Sequence, residues 1–78
     1  MEDIMKEDCF ELVFQVTETL NNGKERTFKK KLLSPRFRNG HYITEANAAL
    51  QGIELLQNMH YYRIKYMGRT CKTLYWID

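Results

Sequence analysis

From Cys9 to Leu20 the chain alternates apolar and polar positions with period two. Phe10, Leu12, Phe14 and Val16 fall on one side, and Glu11, Gln15, Thr17 and Thr19 on the other. Successive side chains leave a pleated strand on opposite faces, so this pattern predicts a strand with one face buried. Asn21-Asn22-Gly23 follows, a hairpin loop in which Gly23 takes the left-handed position. That loop sets Leu20 against Lys24, Glu18 against Arg26, Val16 against Phe28 and Leu12 against Leu32. A two-residue loop at Asn22-Gly23 would set Val16 against Lys29, and matching apolar residues on one face selects the longer loop.

The second strand, Glu25 to Leu33, turns Phe28 and Leu32 inward together with Lys30. An inward lysine protects an edge strand from pairing with another chain. Ser34-Pro35 ends the strand, because proline cannot donate to a ladder and restricts the residue before it. Arg36 to Tyr42 reads as a loop with an Asn39-Gly40 turn. Thr44 then caps a helix running to about Asn58, with Glu45 in the first turn where the helix dipole favours an acid. Ala46, Ala49, Leu50, Ile53 and Leu56 make its inward stripe. Ala48, Gly52, Leu55 and Met59 make a second stripe on the other side.

The last twenty residues read as a second hairpin. Met59 to Met67 and Thr70 to Ile77 flank Gly68-Arg69, the Gly-X pattern of a type II′ turn. This register pairs Tyr66 with Cys71, Ile64 with Thr73 and Tyr61 with Trp76. The predicted fold is α+β, ββαββ, a four-stranded mainly antiparallel sheet in the order 2-1-3-4 with one helix packed on one face. Residues 9–78 form a single domain, and residues 1–8 are expected to be a charged, flexible tail.

Length and charge sharpen this picture. Seventy-eight residues hold one domain with a marginal core. The net charge of +2 hides an asymmetry: residues 1–8 balance at −3 and residues 9–78 at +5. Lys24 to Arg38 holds seven basic residues against Glu25 alone, which suggests a polyanion or an acidic partner. Met1 to Asp8 is too charged for a secretory or anchoring segment, and no apolar run approaches the roughly 18 residues of a membrane helix. Cys9 and Cys71 alone do not make the disulfide framework of a small secreted domain. A cytoplasmic protein with reduced thiols, no membrane contact and no cofactor is expected.

Catalytic chemistry is thinly represented. Ser34 is the only serine, and it lacks the glycines of a nucleophile elbow. No Cys or His pair has zinc spacing, and the glycines fit no phosphate loop. His41, with Arg36, Arg38, Tyr42 and Glu45 nearby in sequence, could in principle cleave a phosphodiester; a histidine stacked on Tyr42 or facing water is the plainer reading. His60 is expected to be partly buried, Cys71 to be a small core residue, and Cys9 to face outward. No enzyme is predicted.

The sheet face away from the helix carries the candidate site. It gathers Lys29, Lys31, Arg63, Lys65 and Lys72 with Tyr61 and Trp76, and Arg36 and Arg38 extend it. Cations hold phosphates and aromatic rings stack on bases, so the expected partner is nucleic acid. The competing reading is a protein-binding adaptor or inhibitor that meets an acidic protein through the same face. Tyr61 and Trp76 could equally be a cross-strand pair that stabilises the last hairpin. A homodimer through Ala48, Gly52, Leu55 and Met59 would add burial that so small a core lacks.

Overall fold

Everything in the main sheet is paired to one strand. In the computed structural model, which describes residues 4–77, β1 spans Ile4–Thr19 and β2 spans Glu25–Pro35. Two short strands, β3 (Phe37–Arg38) and β4 (His41–Tyr42), pair with each other. Helix α1 covers Glu45–Asn58, and β5 runs from Arg63 to Ile77. The sheet order is β2-β1-β5, antiparallel at both contacts. The α+β class holds, with three strands where four were expected.

The first hairpin forms in the expected register: Glu18 opposes Arg26, Val16 opposes Phe28 and Leu12 opposes Leu32. Gly23 has φ +81°, and Leu20 donates its N–H to Lys24 O at 2.7 Å. Thr44 caps α1 as predicted, its Oγ1 accepting from the Asn47 N–H at 3.2 Å. At the other end His60, with φ 69°, stands in the left-handed position that ends the helix, and Tyr61 N–H reaches back to Leu56 O at 3.0 Å.

The second hairpin does not exist. Gly68 is the site of a bulge inside one continuous strand: Phe14 opposes Tyr66 and Val13 opposes Gly68, so Met67 is left without a partner. Gly68 has φ +122°, a conformation that side-chain-bearing residues avoid. The reason the chain continues straight lies in β1. Ile4–Asp8, expected as part of a tail, are strand residues that pair with Thr73–Ile77. A turn at Gly68 would leave this part of β1 without that partner. Tyr61 and Trp76 consequently lie toward opposite ends of the last segment instead of facing each other.

The resulting molecule is long, 57 × 25 × 20 Å with a radius of gyration of 15.6 Å. A compact chain of this length has a radius near 11.5 Å. Fourteen helical residues reach about 21 Å, whereas a sixteen-residue strand reaches about 50 Å. The helix therefore covers less than half of β1. Since β2 joins β1 only from Cys9 onward, Ile4–Asp8 and Thr73–Ile77 continue as a two-stranded ribbon.

Under the helix, Phe10, Leu12, Phe14 and Val16 of β1 meet Ala48 and Leu56 of α1. Phe28, Leu32, Ile43, Ile53, Tyr61, Ile64 and Tyr66 complete the core at its margins. The two helix stripes differ from expectation. Ala48 and Gly52 are buried against the sheet, while Leu50 is 65% exposed and Ala46 is exposed. A Cβ placed on Gly52 would lie 2.6 Å from Cζ of Phe14, so the small residues belong where the helix comes closest to the ring. Leu55 and Met59 remain exposed, but Ala48 and Gly52 are not available to the dimer contact that the second stripe suggested.

Gly52→Ala tests this close approach. Alanine is the better helix former by about 0.8–1 kcal/mol, yet overpacking a fixed aromatic ring costs about 1–3 kcal/mol. Chemical denaturation should show a net loss of stability. A more stable variant would mean that the Phe14 ring yields freely.

Candidate polyanion-binding face

The inward residues of β1 are even-numbered, so Val13, Gln15 and Thr17 face away from the helix. Pairing fixes what stands beside them. Lys29 and Lys65 both oppose Gln15 from the flanking strands, Lys31 opposes Val13, Arg63 opposes Thr17, and Lys72 opposes Cys9. Strand neighbours are spaced about 4.8 Å apart, so the lysines of β2 and β5 form two rows roughly 10 Å apart. The five predicted cations share one face. Their agreement survives the missing hairpin because a one-residue bulge and a two-residue turn both shift the alternation by one. Lys65 and Lys72 thus face the same way in either arrangement.

Ion pairs divide this set. Arg63 bonds Glu25, and Lys72 Nζ lies 3.4 Å from Glu11 Oε2. Lys29, Lys31 and Lys65 are exposed and have no ion-pair partner among the described residues. Between the two rows β1 offers the neutral Val13, Gln15 and Thr17, so the positive potential there is opposed by Glu11 and Glu25 at the margins.

Other predicted members lie elsewhere. Tyr61 is on the helix side, edge-on to Phe28 with ring centroids 5.7 Å apart, so it belongs to the margin of the core. Lys30 stands over both rings, at 5.7 Å from Phe28 and 5.6 Å from Tyr61, a cation–π position. Arg36 is likewise taken up by an aromatic ring. Its guanidinium and that of Arg69 each lie 5.2 Å from the centre of Phe10, and Arg69 also bonds Glu45 at 2.6 Å. Arg38 sits on the β3–β4 hairpin. Trp76 opposes Met5 through its backbone, and its side chain lies outside what the structure describes.

The sequence pattern names Tyr42 only as a neighbour of His41 and does not pair it with Phe37. Phe37 and Tyr42 oppose each other across β3 and β4, with centroids 5.2 Å apart and rings at 70°. Their symmetric placement two residues either side of Asn39-Gly40 was the available signal.

The remaining reactive groups are few. His41 is exposed on the same hairpin. His60, expected to be partly buried, is exposed, with Nδ1 3.2 Å from the Tyr62 hydroxyl. No group of three metal-ligating side chains occurs among the described residues, and no described helix is long and apolar enough to cross a membrane. Both cysteines are free. Cys9 is buried between Pro35 and Lys72 of the flanking strands, and Cys71 is exposed beyond the start of the helix. Cys9 lies on the outer face as expected although it is buried there, and Cys71 faces inward as expected but is exposed and not part of the core. Comparison with protein-family models, curated proteins and solved structures finds no match to this chain.

Two titrating groups follow from this packing. Burial, reinforced by the charges of Glu7 and Asp8, pushes the Cys9 thiol up, which keeps it protonated and unreactive. Iodoacetamide should therefore label Cys71 in the native protein and reach Cys9 only on unfolding, as mass spectrometry can count. Burial also pushes the Tyr66 phenol above its usual value, with the nearby Glu45 adding to the shift against an opposing effect of Arg69. Its hydroxyl is buried and makes no well-formed hydrogen bond, the Glu45 carboxylate being the acceptor near it. The fold thus favours the neutral phenol, a contribution fully present below about pH 10 and lost as pH rises through the raised value. Tyr66→Phe should resist alkaline unfolding better than the parent protein, with little difference at pH 7. Equal loss of stability above pH 10 in both proteins would contradict this assignment.

Proposed function

We propose that the chain is a small non-enzymatic binding module that holds nucleic acid by its phosphates across the outer face of the sheet. The observation that carries this reading is the pair of cationic rows. Lys29 and Lys31 on β2 face Lys65 on β5 across a neutral strip, and all three are exposed without an ion-pair partner among the described residues. Contacts of this kind position a polyanion without reading its sequence. Tyr61 contributes no stacking platform here, so the face is a backbone-binding surface and not a reader of bases.

A second reading rests on β5. This strand has a neighbour on one side only, and Arg63–Ile77 contains four basic residues and no acid. Its free edge suits an extended acidic segment of a partner protein, added as a further strand. We favour nucleic acid because the cations span both flanking strands, whereas an added strand would use one edge.

A salt titration separates the two. If three to five phosphates are neutralised, log affinity for a labelled single strand should fall against log salt with a slope of about −2 to −3.5. Lys29→Ala combined with Lys31→Ala should flatten that slope by about 1.4, since each phosphate contact contributes roughly 0.7. Failure to bind single-stranded or duplex nucleic acid at low salt overturns the proposal.

A further inference from the structure

We propose that the β3–β4 hairpin is a stacking finger that takes unpaired bases of a single-stranded nucleic acid whose phosphates the sheet face holds. This inference rests on the nucleic-acid reading above and supplies the aromatic part that Tyr61 does not provide. The hairpin is short and well defined. Asn39 and Gly40 have φ 53° and 81°, two successive positive angles of the kind a type I′ turn requires. Ile43 N–H donates to Arg36 O at 2.8 Å and Arg36 N–H donates to Asp8 O at 3.1 Å, which ties the base of the finger to β1.

On this frame the rings of Phe37 and Tyr42 meet edge to face. A cross-strand aromatic pair can serve only to hold a hairpin together. Here the turn and the backbone bonds already do so, and the pair stays open: Phe37 is 55% exposed and Tyr42 is 81% exposed. A pair of rings fixed at 70° leaves ring surface free for a planar ligand, and base–aromatic stacking tolerates any base.

The surroundings complete the chemistry of a nucleotide. A cleft of about 560 Å³ opens between the finger and the β1–β5 ribbon, lined by Lys6, Glu7, Asp8, Arg36, Phe37 and Tyr42. Its volume lies within the usual range for small-ligand sites. Lys6 brings positive charge for a phosphate, while the Asp8 carboxylate, one of whose oxygens accepts from Thr73, has its other oxygen to accept from a base N–H. Phe37 follows Lys31 by six residues, so the two are at most about 20 Å apart. Lys31 lies on the outer face and Lys6 and Asp8 on the even-numbered face of β1, so a strand that engages both rounds the β2 edge of the sheet.

The test is fluorescence anisotropy with a labelled mixed-sequence 15-mer of DNA and an abasic 15-mer of the same length. Tyr42→Ala should weaken binding of the normal strand about tenfold or more, the range for losing one stacked base, and should leave the salt slope unchanged. The abasic strand should bind the parent protein and the variant equally. Tyr42→Leu keeps an apolar contact with Phe37 but removes the ring face, so it should match Tyr42→Ala, whereas Tyr42→Trp should bind like the parent. Circular dichroism checks that each variant is folded. Undiminished binding by folded Tyr42→Leu, or equal parental affinity for both strands, overturns the finger while leaving the phosphate-binding face intact. No binding of either strand at low salt, with capture of poly-glutamate instead, overturns both and favours the acidic partner.

Discussion

The pairing of β1 on both of its edges is the constraint from which the rest of the structure follows. A sixteen-residue strand presents a donor and an acceptor at nearly every residue, and where the strand is central to a sheet those groups require partners on both sides. The first hairpin supplies β2 along one edge from Cys9 to Thr19. The other edge is longer, from Ile4 to Thr17, and only an uninterrupted fifteen-residue β5 matches it. The helix then crosses from the end of β2 to the start of β5 and lands on the even-numbered face of β1. Phe14 lies beneath it at the centre of that crossing, and Gly52 sets how closely the two layers meet.

The bulge at Gly68 is what lets one strand serve two purposes. Before it, Ile64 and Tyr66 lie over the core with Arg63 and Lys65 outward. After it, Arg69 and Cys71 fall on the inner side and Lys72 points outward. Without the inserted residue the alternation would carry Arg69 to the outer face and Lys72 inward. Arg69 would then lose its position over Phe10 and its bond to Glu45. One unpaired position therefore joins the electrostatics of the outer face to the packing at the start of the helix.

Local chemistry made the first half of the fold legible. A loop with glycine at a fixed offset, a period-two run and a threonine cap are each decided within a few residues, and all three form as read. The later half depends on contacts remote in sequence. Gly-X signals both a type II′ turn and a bulge, and what separates them here is the length of β1, including Ile4–Asp8, whose charges resemble a tail. The helix faces were misread for a related reason. Hydropathy ranks Leu50 above Gly52 as a core residue, but the ring of Phe14 leaves room only for small side chains. Tyr61 was placed by strand alternation although it precedes β5, and its direction is set by the left-handed His60 at the end of the helix. The cations of the outer face were legible because turn and bulge change parity alike. The exposed pair on the β3–β4 hairpin was legible only from the Asn39-Gly40 turn, whose flanking residues face each other once the segment is a hairpin and not a loop.

What distinguishes the free cations from the others is the fate of their neighbours. Where an aromatic ring lies within reach, the charge is engaged: Lys30 by Phe28 and Tyr61, Arg36 and Arg69 by Phe10, Arg26 by Phe28 as well as by Glu18. These rings line the helix side, because aromatic area is buried where the core forms. Between the free lysines β1 supplies Val13, Gln15 and Thr17, none of which offers a π-face or a negative charge, and Glu11, the next outward residue of β1, is taken by Lys72. Lys29, Lys31 and Lys65, placed there, stay exposed and without an ion-pair partner among the described residues, as suits the strongly hydrated ammonium group. The same alternation that builds the core from one side of β1 thus leaves Lys29, Lys31 and Lys65 on the opposite side without an intramolecular counter-charge among the described residues.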